Sequence, residues 1–183
     1  MLQRMLLRQQ PAARQAVRGF ATKIAPFHIA IPVHDLQAAR DFYGGVMGFT
    51  EGRSSAQWQD YNMLGHQLVV HEVNKDYKAP EFHNPVGACD VRTVGPWTNG
   101  TSVEADDVPV PHFGVALTVD DFHALAERLK TSAGVKFIIE PHLRFQGRKG
   151  EQWTMFFKDP SGNSLEFKAM TTPENLFAKY VEN

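Results

Sequence analysis

The chain has 183 residues, 43% hydrophobic and 21% charged, a composition that suits a globular domain and not a disordered chain. With 19 basic and 20 acidic residues the formal net charge is -1, so nothing favours a nucleic-acid partner held by phosphate neutralisation, and no apolar run reaches the ~20 residues of a spanning helix. The one cysteine, Cys89, excludes an internal disulfide and a multi-cysteine metal site within one chain.

Residues 1–20 hold Arg4, Arg8, Arg14 and Arg18 and no Asp or Glu, which leaves 15 basic against 20 acidic residues in the rest of the chain. Leu2, Met5 and Leu6 share one helical face beside these arginines. A basic, amphipathic, acid-free leader is the pattern of a mitochondrial transit peptide, and Arg18-Gly19-Phe20-Ala21 is similar to a matrix-protease cut site. The expected location is the mitochondrial matrix, with the cytoplasm as the alternative.

The first strand is expected over Phe27–Val33, with Ile29, Ile31 and Val33 on one face and His28 and Ala30 on the other. Asp35 offers an N-cap to a helix striped by Leu36, Ala39, Tyr43 and Val46, and Gly44, Gly45 and Gly48 end it. Strand patterns follow at Glu51–Ser55, Trp58–Met63 and Gln67–Val73. The order returns from His112: a strand over His112–Val119, then a helix capped by Asp120 or Asp121 with a stripe of Phe122, Leu125, Ala126 and Leu129. Strands at Val135–Ile139, Trp153–Phe157 and Asn163–Ala169 complete it, the last two joined by the turn Asp159-Pro160-Ser161-Gly162. A histidine opens each first strand and a tryptophan each third strand, about 84 residues apart, which suits a duplicated module and not a solenoid.

The expected organisation is therefore an α+β domain over 26–170. Its two βαβββ modules span 26–73 and 112–170, and a proline-rich crossover at 74–111 partly covers a pocket. A tail at 171–183 begins a short helix at Pro173. The small residues Ala30, Gly114 and Ala116 mark the cavity face, while Ile31 and Val115 pack under helices. On this reading a bulky residue at Gly114 blocks a ligand with little loss of stability. Glu166 lies mid-strand on the face it shares with Ser164 and Lys168, and His71 shares a face with Gln67 and Val69. If the halves pair about a pseudo-two-fold axis, His28 and His112 become symmetry mates, and His71 and Glu166 approximate ones. Two imidazoles and a carboxylate on one side of a divalent ion leave positions for substrate, water or O₂. The loop Arg144–Gly150 mixes glycine with cations and is expected to be a mobile flap, Arg144 or Arg148 meeting an anionic substrate group.

The chain resembles the vicinal oxygen chelate superfamily of glyoxalase I, extradiol dioxygenases, methylmalonyl-CoA epimerase and the bleomycin- and fosfomycin-resistance proteins. The resemblance is carried by Phe27-His28-Ile29-Ala30-Ile31-Pro32-Val33-His34-Asp35-Leu36, Phe42-Tyr43, Met47-Gly48-Phe49 and His112-Phe113-Gly114-Val115. It continues through Phe157-Lys158-Asp159-Pro160-Ser161-Gly162-Asn163-Ser164-Leu165-Glu166-Phe167 and covers about 26–170. It implies the glyoxalase/dioxygenase fold, with one paired, curved mixed sheet around a metal-centred cavity. It also implies His28, His112 and Glu166 as metal ligands. Aligning Leu68 with Leu165 places Val69 opposite Glu166, where glyoxalase I-like members often supply a glutamate; Glu72 has the wrong parity. His71 is then an acid or base, or a fourth ligand. The implied function is a metal-dependent enzyme acting on a small oxygenated substrate by bidentate chelation. Extradiol dioxygenase-like chemistry with Fe(II) leads; Zn, Ni, Co or Mn, and a glyoxalase-type lyase or isomerase, are alternatives. A metal-free small-molecule binding or resistance protein is the reading from another class. The partner implied is a small molecule, and a homodimer stays open.

Overall fold

The structure, a computed structural model, describes residues 25–78, 81–85 and 107–179. The arginine-rich leader, Cys89 and much of the crossover lie outside the described residues. Among the described residues no helix is long and apolar enough to cross a membrane.

Strand β1 (His28–Val33) leads through Asp35 into a short helix α1 (Leu36–Ala39), and the Asp35 carboxylate accepts from the Ala38 N–H at 2.9 Å. The chain then widens into a π-helical segment, Arg40–Val46, where a continued α-helix was expected. Gly48 ends it at φ +74°, a backbone conformation that calls for glycine; the Arg128 guanidinium that a Cβ would meet is the far end of a flexible side chain and can shift. Strands β2 (Thr50–Ser54), β3 (Trp58–Met63) and β4 (His66–Glu72) follow, and the sheet order is β1-β4-β3-β2, with β1 parallel to β4. Two short strands of the crossover, β5 (Phe82–Pro85) and β6 (Asp107–Val110), pair with each other.

The second half repeats the plan. Residues 113–117 run parallel to the last strand through bridges Phe113–Leu165 and Ala116–Lys168, as β1 runs beside β4. Helix α2 (Val119–Thr131) is capped by Thr118, not by Asp120 or Asp121: the Thr118 hydroxyl accepts from the Asp121 N–H at 3.2 Å and donates to its carboxylate at 2.7 Å. Phe122, Ala126 and Leu129 are its buried face. Strands β7 (Phe137–Arg144), β8 (Gln152–Lys158) and β9 (Ser164–Met170) form an antiparallel sheet, and Pro173–Phe177 is one 3₁₀ turn, shorter than the expected helix.

The α+β class and the doubled order match the sequence expectation, but each half keeps its own sheet. The outer edge of β1 meets side chains in place of a strand. Asn163 Nδ2 donates to the Pro32 carbonyl at 2.8 Å, and the His34 N–H donates to Ser161 Oγ at 2.9 Å. Pro32 has no N–H to offer a partner strand, so an edge position suits it. The halves are joined by a common core in which Phe42 and Tyr43 of the first meet Phe157, Leu165 and Phe167 of the second. A buried clasp pins it: the Tyr43 hydroxyl donates to the Asp159 carboxylate at 2.8 Å. Burial and that carboxylate hold the Tyr43 phenol well above its ordinary pKa, so it stays a neutral donor.

Ile31 is buried as expected and Val115 is half-buried. Gly114 corrects the cavity reading: a Cβ built there would run into the backbone carbonyl oxygen of Glu166. Its smallness lets residues 113–117 lie against β9 and does not make room for a ligand. Gly114→Ala should therefore cost at least about 3 kcal/mol in urea denaturation, the range of backbone-level disruptions, and not act as a tolerated cavity block. Tyr43→Phe should cost about 1–3 kcal/mol by the same measurement, because it removes one donor from a buried carboxylate.

Candidate functional site

The pairing beside β9 sets the first pair of candidate residues. His112 stands one position before Phe113 and Glu166 one after Leu165, so a short diagonal separates them. Nε2 of His112 lies 3.1 Å from Oε2 of Glu166. Each side chain has a second partner. His112 Nδ1 donates to the Pro109 carbonyl at 2.6 Å, and the Thr154 hydroxyl donates to Glu166 Oε1 at 3.0 Å. Burial pushes the Glu166 carboxyl up, but His112, Lys168 and Thr154 outweigh it and the net shift is downward. The bond to Glu166 raises the His112 pKa against the effect of its partial burial, and the Pro109 carbonyl adds to the rise. Both shifts run toward the charged forms of the pair, as a charge-assisted contact does.

In the first half His28 faces Gln67 across the β1–β4 pairing. Gln67 Nε2 donates to Asp60 at 3.1 Å, and Arg53 holds the same carboxylate oxygen at 2.9 Å. That fixes the Gln67 amide, so its oxygen accepts from His28 Nδ1 at 2.8 Å and Nε2 carries the lone pair. Sequence reasoning did not single out Asp60, Arg53 or Thr154. Their signal is strand parity combined with the register of neighbouring strands, which one sequence does not display.

The equivalence of the halves is legible in the registers. Ile29 pairs with Leu68 as Phe113 does with Leu165, so Ala30–Val69 corresponds to Gly114–Glu166. Val69, buried, occupies the place that Glu166 holds in the other half. His71 lies two residues on, exposed, at the place of Lys168. Among the described residues no group of three or more His, Cys, Asp or Glu side chains converges to hold a metal. His112 and Glu166 have the chemistry of two ligands to a divalent ion, oriented by Pro109 and Thr154; His28 has the tautomer of a third but is not brought to them within this chain.

The flap expectation needs correcting for Arg144. It is the last residue of β7, is 4% exposed and lies over the Phe145 ring at 5.1 Å. The connection beyond it is a compact turn, with the Gly147 N–H donating to Glu151 at 2.7 Å and the Arg148 N–H to the Phe145 carbonyl at 2.9 Å. Neither Arg144 nor Arg148 lines the cavity beside β1. That cavity, ≈ 510 Å³, lies between β1, residues 111–113 and the β8–β9 hairpin, with Tyr77, Lys78 and Glu81 of the crossover on one side. His112 and Ala30 both border it.

Fold and site define a duplicated βαβββ protein with a cavity next to a His–Glu pair. The model of the Glyoxalase/Bleomycin resistance protein/Dioxygenase superfamily matches residues 25–167, and the chain belongs to that superfamily. It is similar to a glyoxalase/bleomycin resistance protein/dioxygenase from Alicyclobacillus acidocaldarius, at 28% identity and a TM-score of 0.60, covering 83% of this chain and 96% of that one. It shares its fold with a genomically encoded fosfomycin resistance protein from Listeria monocytogenes, at 19% identity and a TM-score of 0.53, covering 81% and 95%. No curated protein matches the chain.

Thr154→Val keeps the shape of the side chain but takes the hydroxyl from Glu166. The Glu166 carboxyl should then titrate higher than in the parent, seen by carbon-detected NMR on metal-free protein, with a loss of about 1–2 kcal/mol in stability.

Proposed function

We propose that the chain is a metal-dependent enzyme acting on a small oxygenated substrate, with His28, His112 and Glu166 as protein ligands of one divalent ion. The observation that carries this reading is the common state of the two histidines. In each, Nδ1 is engaged by an oxygen acceptor, which directs Nε2 to ligation, and for His112 that nitrogen already faces Glu166. When bound, the ion supplies Lewis-acid stabilisation to a substrate chelated through two oxygens. Fe(II) leads because two histidines and one carboxylate are the donor set of non-haem iron oxygenases; Zn, Ni, Co and Mn are the other candidates. Val69 in the place of a second carboxylate puts an extradiol dioxygenase-like reaction ahead of a glyoxalase-type lyase or isomerase.

The chain's own residues have defined parts in this reading. Pro109 and Thr154 orient the His112–Glu166 pair, and Gln67 sets the His28 tautomer. His71, exposed on the same strand face as Val69, moves a proton. The leader adds a mitochondrial location. The third ligand comes from a second copy, which makes the enzyme a homodimer. His28 opens an edge strand, is exposed, and stands beside Phe27, which is 60% exposed. A metal-free binding protein is the second reading, favoured by the absence of a three-donor cluster among the described residues.

Elemental analysis of protein purified without a chelating tag separates the two. Stoichiometric metal supports the enzyme, and iron with O₂ uptake supports oxygenation; a metal-free preparation supports the binding protein. His28→Ala and Glu166→Ala should each lose metal alone, yet co-expressed as mixed dimers they should regain about one ion per mixed dimer, since one shared site stays intact. Mixed dimers without metal would exclude the shared site.

A further inference from the structure

The cavity beside β1 contains a polar corner that the metal reading does not use. Lys158 ends β8 and Ser164 opens β9, and both donate to one carboxylate oxygen of Glu81, Nζ at 2.5 Å and Oγ at 3.2 Å. The donors sit at the base of one hairpin, whose geometry is fixed by Asp159. The acceptor does not belong to that rigid unit: Glu81 comes from the crossover, 77 and 83 positions away in sequence. Lys78 borders the same cavity, and Ile29, Ile31, Pro32 and Phe113 supply apolar wall. Its volume, ≈ 510 Å³, lies within the range of about 300–1,000 Å³ typical of small-molecule sites.

An ammonium and a hydroxyl converging on one carboxylate at the end of an apolar chamber form a site for an amphipathic acid. The charge-assisted bonds offset the cost of taking the head from water, and the walls bury its body. We propose that this cavity binds a small amphipathic carboxylate, whose head replaces the Glu81 carboxylate between Lys158 and Ser164 while its apolar body lies along β1. Glu81 is then an internal stand-in: tethered in the same corner, its carboxylate competes at high effective concentration and gives up Lys158 and Ser164 when the ligand enters.

Octanoate, and octanol as its neutral analogue, serve as probes by isothermal titration calorimetry on the purified full chain. Octanoate should bind, and Glu81→Gln should tighten it about tenfold by removing the tethered competitor, while Lys158→Met should weaken it at least about tenfold. Octanol should bind more weakly and respond to neither substitution. Ser164→Ala provides a second weakening variant should Lys158→Met lose its circular-dichroism signature. Octanoate that fails to bind both the parent and Glu81→Gln overturns the proposal. So does equal octanoate affinity across the variants, or octanol binding as tightly as octanoate. The titration reads neither metal nor turnover, so it can succeed where the metal reading fails, and the reverse.

Discussion

The carboxylate of Asp159 is the point on which the two halves and the cavity between them depend. It is 5% exposed, and a buried charge of this kind is stable only when its lone pairs are filled. Oδ1 accepts from the Ser161 and Asn163 N–H groups at 2.9 and 2.8 Å; Oδ2 accepts from the Tyr43 hydroxyl and Asn163 Nδ2, both at 2.8 Å. The second hydrogen of that Asn163 amide goes to the Pro32 carbonyl. One side chain thereby shapes the hairpin, holds it to the π-helical segment of the first half, and sets it against the edge of β1. The hairpin residues that border the cavity, Lys158 and Ser164 included, flank the turn it holds.

Much of the fold was legible because its signals are local. Alternation fixed the strands, Asp35 announced its helix, and Asp159-Pro160-Ser161-Gly162 announced its hairpin. The misreadings come where two local signals compete. Thr118 reads as the polar member of an alternating strand, so the cap was assigned to the acids after it, although Thr118 makes the bond. The apolar pattern ends at Ile139, but β7 continues to Arg144, and its pairing with β8 shifts register between Ile139 and His142, where Pro141 falls. Gly44 and Gly45 mark a weak helix but not its π geometry, and the segment packs against Tyr61 and Phe157, contacts that no short window contains.

The site was legible to the extent that parity and repetition go. They placed His112 and Glu166 on one face, where the structure brings them into contact. They also put Val69 opposite Glu166, which the registers reproduce. Parity says which face a residue takes but not which sheets face each other, and from it alone His28 looked as near to Glu166 as His112. The Arg53–Asp60–Gln67 chain that sets the His28 tautomer spans three strands, so it exists only once β2, β3 and β4 are in register. Gly114 shows the same limit from the other side: a small residue signals space, but whether a ligand or a neighbouring backbone fills it is a tertiary fact.

The duplication also divided the chemistry unequally. Equivalent positions hold Gln67 and Ser164, Val69 and Glu166, His71 and Lys168, so only the second half places a carboxylate beside its histidine. The crossover adds to this imbalance. Among its described residues it meets the second half through Val108 against Ile139 and Phe156, through the Pro109 carbonyl on His112, and through Glu81 on Lys158 and Ser164. In the first half the His28 acceptor is instead a side chain of the neighbouring strand, so that ring is set by the sheet. His112 is set by β6, a strand outside that sheet, whose partner β5 follows directly on Glu81. The histidine with a carboxylate beside it is therefore oriented from the crossover, the same connection that carries Glu81 into the cavity corner.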